Sequence, residues 1–462
     1  MRQGLAAAVN HGGYFTLAFG AIVGSGWVVV MGEWLRAAGP GGAALGFLIG
    51  GVVMILIALC YGELAARSAT SGAEFLYALQ TFGPRAGFLV AWFITLYSVA
   101  ACAFEGIACA WLLRALVPAI TLGSAYTVLG VPVGWDALVI GGVGTMGIGT
   151  LHWLGASSTI RFQNVVTYGF IGVTALLVIY GLTHGSVVNL EPLVSGAPGR
   201  SWLSGAIWIF ATCAFFLNGW QTALHAIEER RSDVTPRGAV ISITCAIGAS
   251  TIFYVGIIAA AASAVPWRTL VAQDLPAAAA FGALGLGGAL RTVILVAATI
   301  SAIKTWSAVT WIGSRVIYAQ AKHGLLPAVL ARVDQHSGAP RSAILAVVAL
   351  TLVGIALGRG AILPIVDMVS LCLALSLILC LVILLHRRRS EAAPPAFEVP
   401  GGMPTILTAL AGALTMVSMA VLQPLLRGVG TLPPEWVLLS AWMALGIVAM
   451  LFSPWLRRAR SR

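Results

Sequence analysis

Gly20-Ala21-Ile22-Val23-Gly24-Ser25-Gly26-Trp27 interrupts an apolar run that extends from residue 13 to residue 37. A run of that length crosses a bilayer core of about 30 Å as one α-helix. Glycines flanking Ser25 weaken the helix near its middle. A second apolar run, 203–228, carries Phe215-Phe216-Leu217-Asn218-Gly219-Trp220-Gln221, again at mid-span. A break at that depth frees backbone N–H and C=O groups that lipid cannot satisfy, so they must face protein, a cavity or a ligand. Paired interruptions at corresponding places of two halves are the sequence mark of a solute-binding site in a carrier. Freed N–H groups at a half-helix N-terminus suit a carboxylate. Freed carbonyls suit an ammonium, and a zwitterionic amino acid supplies both. The bland reading of the glycines is a small-residue packing face. The second break argues against it.

Outward from these breaks the chain is apolar almost throughout. Hydrophobic residues make up 59% and charged residues 9% of its 462 residues, against roughly 25% charged in soluble domains. So few charges cannot cover a soluble surface. Twelve spans are expected: 13–37, 42–66, 86–117, 133–153, 162–184, 203–228, 238–264, 287–319, 342–358, 361–386, 404–426 and 435–456. Between the seventh and eighth, Trp267 to Leu284 reads as a short amphipathic helix, and Ser390 to Met403 as an extended proline-bearing connector. The first run is too long for a cleaved leader and is expected to remain as a span.

The net charge of +11 would suggest nucleic acid in a soluble protein. Here the basic residues lie in short loops. With the N-terminus inside, 18 Lys and Arg fall on the cytoplasmic side and 7 outside, with Lys304 within a span. Both termini are therefore expected in the cytoplasm, and no nucleic acid partner. Seven cysteines sit in apolar stretches with no metal-ligand spacing, so no metal and no cofactor are expected. A channel would need rings of like residues or a continuous polar stripe. A membrane enzyme or ATP-driven pump would need a catalytic or phosphate-binding motif, and HExxH, GxSxG and P-loop patterns are missing from the sequence.

Five motifs, the first break among them, carry a family resemblance. They are Gly24-Ser25-Gly26; Tyr61-Gly62-Glu63-Leu64 with Ser71-Gly72-Ala73-Glu74-Phe75-Leu76-Tyr77; Glu228-Glu229 with Pro236; Ser314-Arg315-Val316-Ile317-Tyr318-Ala319 with Gly324-Leu325-Leu326-Pro327; and Phe397-Glu398-Val399-Pro400-Gly401. In this order the chain resembles permeases of the amino acid–polyamine–organocation (APC) superfamily over nearly its whole length. Thr70 and Gly72-Ala73 depart mildly from the Pro and Gly-Gly usual in that loop.

The resemblance implies an all-α membrane protein with the five-plus-five inverted-repeat (LeuT-like) fold. Residues 13–184 and 203–386 would form the two repeats, with helices one and six broken, and 404–456 two added C-terminal spans. It implies a single transporter domain, 1–462, working by alternating access on a central amino acid or amine. The carboxylate-binding backbone would fall on Gly24, Ser25 and Gly26, and the amine-binding backbone near Phe210, Ala211 and Ala214. Phe215 would be the gating aromatic, and Ile22, Trp27, Trp220 and Trp306 would shape the pocket, Trp306 with a gating part. Trp92, Trp111, Trp202, Trp436 and Trp455 are expected in interface belts. Gln221 stands where some carriers of cationic substrates have an acid, whereas Glu105 could contact a cationic side chain; a neutral amino acid is slightly preferred, with a cationic amino acid, a polyamine or a small amine such as ethanolamine as the alternative. The loop 121–132 has no cysteine, so no disulfide-linked accessory subunit is expected; a monomer or homodimer in a bacterial inner membrane is.

Glu105 and Lys304 are ionisable residues deep within spans, and such charges are functional hypotheses by default. Sodium-coupled relatives of the superfamily hold a cation between spans one and eight, and many sodium-independent ones place there a Lys from span five. Matched on Gln163-Asn164, span five of this chain has Gly169 or its neighbours at that place. Lys304, from span eight, is expected to replace the sodium ion and to exchange a proton. The rival readings are a structural ion pair with Glu105 and snorkelling. His225, one turn before Glu228, reads as a helix-end residue, and Glu228 to Arg231 with Arg315 as a cytoplasmic charge cluster.

Overall fold

The computed structural model describes residues 9–67, 73–225, 233–335, 337–391, 395–426 and 432–453. Helices dominate. In chain order they are α1 (His11–Ile22), α2 (Gly26–Val29), α3 (Met31–Arg67), α4 (Ala73–Phe82), α5 (Pro84–Leu116), α6 (Trp135–Trp153), α7 (Ala156–His184), α8 (Trp202–Phe216), α9 (Gln221–His225), α10 (Pro236–Ala264), α11 (Trp267–Leu270), α12 (Pro276–Ala283), α13 (Ala289–Lys322), α14 (Arg341–Ile355), α15 (Ile362–Ser390), α16 (Gly402–Leu426) and α17 (Pro434–Leu451).

Their ends follow local chemistry. Asn10 caps α1 by accepting the Gly13 N–H at 2.8 Å, and Thr235 caps α10 by accepting from Gly238 at 3.0 Å with Pro236 at the first helical position; both satisfy donors that a helix start leaves unpaired. Within α3, Gly39 (φ 69°) and Pro40 turn the chain. That turn separates the first expected span from the second. The Ser195 N–H packs so closely that a Cβ on Gly39 would lie 2.8 Å from it.

Among the described residues, ten helices are long and apolar enough to cross a membrane. Helices α6 and α14 fall where the fourth and ninth spans are expected but are not among the ten. Large apolar side chains such as Val143, Val165, Leu176, Ile252 and Val353 are exposed along several helices. That much exposed apolar surface suits lipid, not water. The innermost helix is α5, packed against α13 and nearly all buried.

Several features depart from the expectations. The loop between the third and fourth spans forms a hairpin, β1 (Ser124–Val128) against β2 (Val131–Gly134), antiparallel with Val128 opposite Val131. Leu129 and Gly130 turn it with φ of 49° and 76°, the positive pair that matches strand twist in a two-residue turn. The segment after the second span contains α4, and the region 267–284 divides into two helices, α11 and α12. Trp92 is not an interface residue. It is buried and stacked on Trp442 at 4.6 Å. Each indole N–H donates to the other's carbonyl, at 3.0 and 3.3 Å, which joins α5 to α17. Trp111 is also buried, and donates to Asp274 at 2.8 Å. Trp455 lies outside the described residues.

Candidate functional site

Helix α1 ends at Ile22 and α2 begins at Gly26, so Val23, Gly24 and Ser25 bridge an interruption inside the bundle. The second interruption runs from Leu217 to Trp220, between α8 and α9. The two breaks touch. A Cβ on Gly219, whose φ is 99°, would lie 2.8 Å from the Ala21 carbonyl, and one on Gly26 would lie 2.6 Å from the Phe216 ring. Glycine is needed at Gly219 because the Ala21 carbonyl approaches the backbone itself, and at Gly26 because the Phe216 ring stands where a side chain would begin.

The carbonyl end of the first break is covered by α13. Lys304 Nζ donates to Gly20 O at 3.1 Å and to Val23 O. Thr305 Oγ1 donates to the same two carbonyls at 2.9 and 3.1 Å. Ser301 Oγ donates to Val23 O at 2.8 Å and Gly24 O at 2.9 Å. Ser301, Lys304 and Thr305 stand at i, i+3 and i+4, one helical face. Lys304 is wholly buried, with its ammonium 4.8 Å from the centre of the Phe170 ring on α7. A cation at the C-terminal end of a half-helix meets both the freed carbonyls and the negative end of the dipole.

The N–H end of the break is covered by α5. Glu105 accepts from Ser25 N at 3.2 Å and from Ser25 Oγ at 2.6 Å. Its carboxylate lies where a Cβ on Gly24 would be, at 1.9 Å. The Ser25 N–H, expected to be open to a substrate carboxylate, is taken by the protein's own. Glu105 and Lys304 therefore sit on opposite sides of one break, and no ion pair joins them directly among the described residues. The structural-pair reading is not what the geometry shows.

The other expected site residues divide. The Phe215 ring, on the last turn of α8, packs on Phe104 at 5.6 Å and Tyr97 at 6.3 Å, both on one stripe of α5. Ala214 lies in the final turn of α8, where carbonyls are freed. Phe210 and Ala211 lie a turn earlier, within the helix, so their carbonyls are not part of the break. Gln221 closes the second break: its Oε1 accepts from Gly219 N at 3.1 Å and its Nε2 donates to Asn218 Oδ1 at 2.6 Å. Trp27 packs against Phe170 and Phe253. Trp220 packs against Tyr61. Trp306 stands two residues from Lys304, hence on the other side of α13, against Gly106 of α5 and Gly144 of α6. Glu228 to Arg231 and the His225 side chain lie outside the described residues.

Sequence reasoning missed Ser301 and Thr305. Two hydroxyls flank Lys304 at helical spacing, but the same span also carries Thr299, Ser307, Thr310 and Ser314, so nothing local sets these two apart. It also missed a join between two motifs. Glu63, fully buried, accepts from Arg67 at 2.9 Å, from Arg388 at 2.8 Å and from the Val399 N–H at 2.9 Å. The Tyr61–Leu64 and Phe397–Gly401 motifs thus meet at one carboxylate.

Gly24→Ala is expected to abolish uptake in reconstituted vesicles, because the added methyl displaces Glu105 from Ser25. Normal uptake by that variant would show that the contact is dispensable. At the opposite end of the bundle from the start of α1, Asp274 accepts from Arg359 at 2.8 Å and from Trp111 at 2.8 Å. Burial pushes the Asp274 carboxyl up, but the Arg359 and Trp111 hydrogen bonds and the Arg359 charge outweigh it and hold the group below the usual carboxylate range. With the folded value below the unfolded one, the contact stabilises fully above about pH 4 and fades as the pH falls further. The thermal midpoints of the protein and of Asp274→Asn should accordingly differ near neutrality and converge in acid; a constant gap would contradict this.

Comparison with known proteins adds an independent line. A family model described as "Amino acid permease" matches residues 13–450. The chain is 26% identical over 396 residues to a methylthioribose transporter of Bacillus subtilis, covering 83% of this chain and 82% of the relative. It is 26% identical over 359 residues to L-asparagine permease 1 of Mycobacterium tuberculosis, covering 74% and 68%. To the branched-chain amino acid permease BcaP of Bacillus subtilis it is 21% identical over 404 residues, covering 83% and 82%.

Proposed function

The chain belongs to the amino acid permease family, and from that premise we propose that it is a sodium-independent secondary carrier of amino acids in which the Lys304 ammonium holds the cation seat. It is a multi-pass membrane protein and not an enzyme. The observation that carries the proposal is the pair of hydrogen bonds from Lys304 Nζ to Gly20 O and Val23 O. Those carbonyls, with the Ser301 and Thr305 hydroxyls, form an oxygen cluster of the kind that broken half-helices offer to a coupling ion. A tethered ammonium there removes the need for sodium and supplies a group able to exchange a proton.

Within this reading the chain crosses the membrane twelve times. α6 and α14 serve as the fourth and ninth spans, 13–184 and 203–386 form inverted repeats, and both termini lie in the cytoplasm of a bacterial inner membrane. The breaks at 23–25 and 217–220 form the hinge of alternating access, with Phe215 as the aromatic gate over the substrate. Net movement is proton-coupled symport or exchange, with a neutral amino acid preferred.

A second reading is favoured by one observation: Glu105 occupies the Ser25 N–H and hydroxyl. A solute with no carboxylate, such as a small amine or polyamine, would leave that contact undisturbed, whereas an amino acid must share or displace it. The solutes in the relatives' names include both amino acids and methylthioribose, so the solute has to be measured. A thermal-shift screen of amino acids and common amines on detergent-purified protein, followed by liposome uptake of the hits, separates the readings. Saturable, sodium-independent counterflow of an amino acid supports the first. Stabilisation and uptake only with carboxylate-free amines supports the second. Sodium-dependent or non-saturating flux overturns the proposal.

A further inference from the structure

The face of α7 that meets α1 carries two polar side chains with nothing in the protein to bond. Gln163 and Thr167 are buried, and both polar atoms of the Gln163 side chain and the Thr167 hydroxyl are without a hydrogen-bond partner. Neither residue is far from the cation seat. A Cβ on Gly20 would lie 2.1 Å from Gln163 Nε2 and 2.6 Å from Thr167 Oγ1. The Gly20 carbonyl is one of the two acceptors of Lys304. Phe170, at i+3 from Thr167, is the ring beneath the Lys304 ammonium. Gln163, Thr167 and Phe170 therefore form one stripe at i, i+4 and i+7, ending at Lys304. One turn before Gly20 on α1, Thr16 donates to Asn164 of α7, so the polar contact between these helices continues toward the start of α1.

We propose that Gln163 and Thr167 hold buried water against Gly20, and that this water connects Lys304 to the side of the membrane on which α1 begins, as the route for its proton. The proposal rests on the reading of Lys304 as the coupling group. The donor set fits water better than a second cation. The Gln163 amide offers a donor and an acceptor, the Thr167 hydroxyl offers both, the pair brings no carboxylate, and an ammonium stands beside it. A buried water bridging such groups is an ordinary component of a fold and needs two to four polar partners. Uncompensated, three buried polar atoms at one spot would be a persistent cost with no purpose. The charged group that acts on Lys304 is Glu105 from α5; α1 presents carbonyls, α7 presents the Phe170 ring, and α13 itself presents Ser301 and Thr305.

The test uses full-length protein in liposomes, with a radiolabelled amino-acid mixture as probe. Net uptake under a pH gradient is compared with exchange at equal pH on both sides. In exchange the carrier returns loaded and Lys304 need not give up a proton. The double variant Gln163→Leu with Thr167→Val is expected to keep exchange within about twofold and to lose net uptake by roughly tenfold. Thr167→Ser, which restores the hydroxyl, should behave like the parent. If net uptake is unchanged in the double variant, the water route is overturned. If exchange and net uptake fall together with the thermal midpoint, the two residues serve packing and the route is overturned as well. Lys304→Met, run in parallel, separates the two ideas. If it removes the pH response while the double variant keeps full net uptake, only the route fails. If it leaves the pH response intact, the Lys304 reading fails and takes the route with it.

Discussion

Lys304→Thr is expected to lose pH-driven uptake and to become sodium-stimulated. The substitution removes the ammonium but keeps four oxygens around its place: Gly20 O, Val23 O, Ser301 Oγ and Thr305 Oγ1. The introduced hydroxyl adds another. Carbonyl and hydroxyl oxygens at the end of a half-helix, with the dipole behind them, suit a bare monovalent cation. Lys304→Met is the control. It provides neither charge nor oxygen and leaves the Gly20 and Val23 carbonyls with hydroxyl donors alone, losing hydrogen bonds to a charged group that are worth about 2 kcal/mol. That variant should therefore show a lowered thermal midpoint that sodium does not restore, while sodium raises the midpoint of Lys304→Thr. Uptake over a matrix of pH and sodium concentration reads the outcome. Unchanged pH dependence in both variants would remove Lys304 from the coupling site. A pH response lost in both variants, with no sodium effect in either, would keep the proton role and refute the oxygen cluster as a latent cation seat.

What the sequence shows of this site is its backbone. Gly24, Ser25, Gly26, Asn218 and Gly219 are visible as breaks because an apolar run of span length makes any helix-weakening residue conspicuous. Glu105 and Lys304 are visible because a charge in such a run is costly. Their partners are not visible. Lys304 meets Gly20 across 284 positions and Glu105 meets Ser25 across 80, and no local pattern encodes which faces will meet. Ser301 and Thr305 are hidden for another reason: hydroxyls in membrane helices commonly bond their own helix four residues back, as Thr299 and Thr310 do here. Only the position of α1 distinguishes those that reach across. The family pattern alone places Gln221 at the substrate, whereas its amide closes the turn that Gly219 opens, a local role that becomes apparent once the break has a geometry. Trp92 illustrates the limit of composition. A tryptophan near a span end suits an interface, and only the neighbouring α17 turns it into one half of a stacked, doubly hydrogen-bonded pair.

The second large effect is expected far from the breaks. Glu63→Ala should lower stability by about 3 kcal/mol, because removing the acid of a buried ionic group takes the carboxylate from Arg388 and leaves Arg67 only the exposed Glu391 at 3.2 Å. The carboxylate receives two donors from Arg67, two from Arg388 and the Val399 N–H. Its side chain is fully buried, that of Arg67 is 6% exposed and that of Arg388 19%, so water replaces little of what is lost. Glu63→Gln keeps the shape and an acceptor oxygen and should cost less. The double variant with Arg388→Ala should cost less than the sum of the singles, since the second change removes a cation that the first has stranded. The consequence reaches beyond stability because Val399 lies on the connector that leads into α16. A Cβ on Gly62 would lie 3.2 Å from the Phe397 ring, so the connector packs directly on the end of α3. Releasing it should expose the 395–402 segment to proteolysis before the remainder of the protein unfolds. Thermal midpoints in detergent and limited proteolysis at a sub-denaturing temperature together decide the matter. Additive single-variant effects with no early cleavage would mean that the two motifs adjoin without depending on each other, and Glu63 would then be a local helix-end residue instead of the point where α3, α15 and the connector are fastened.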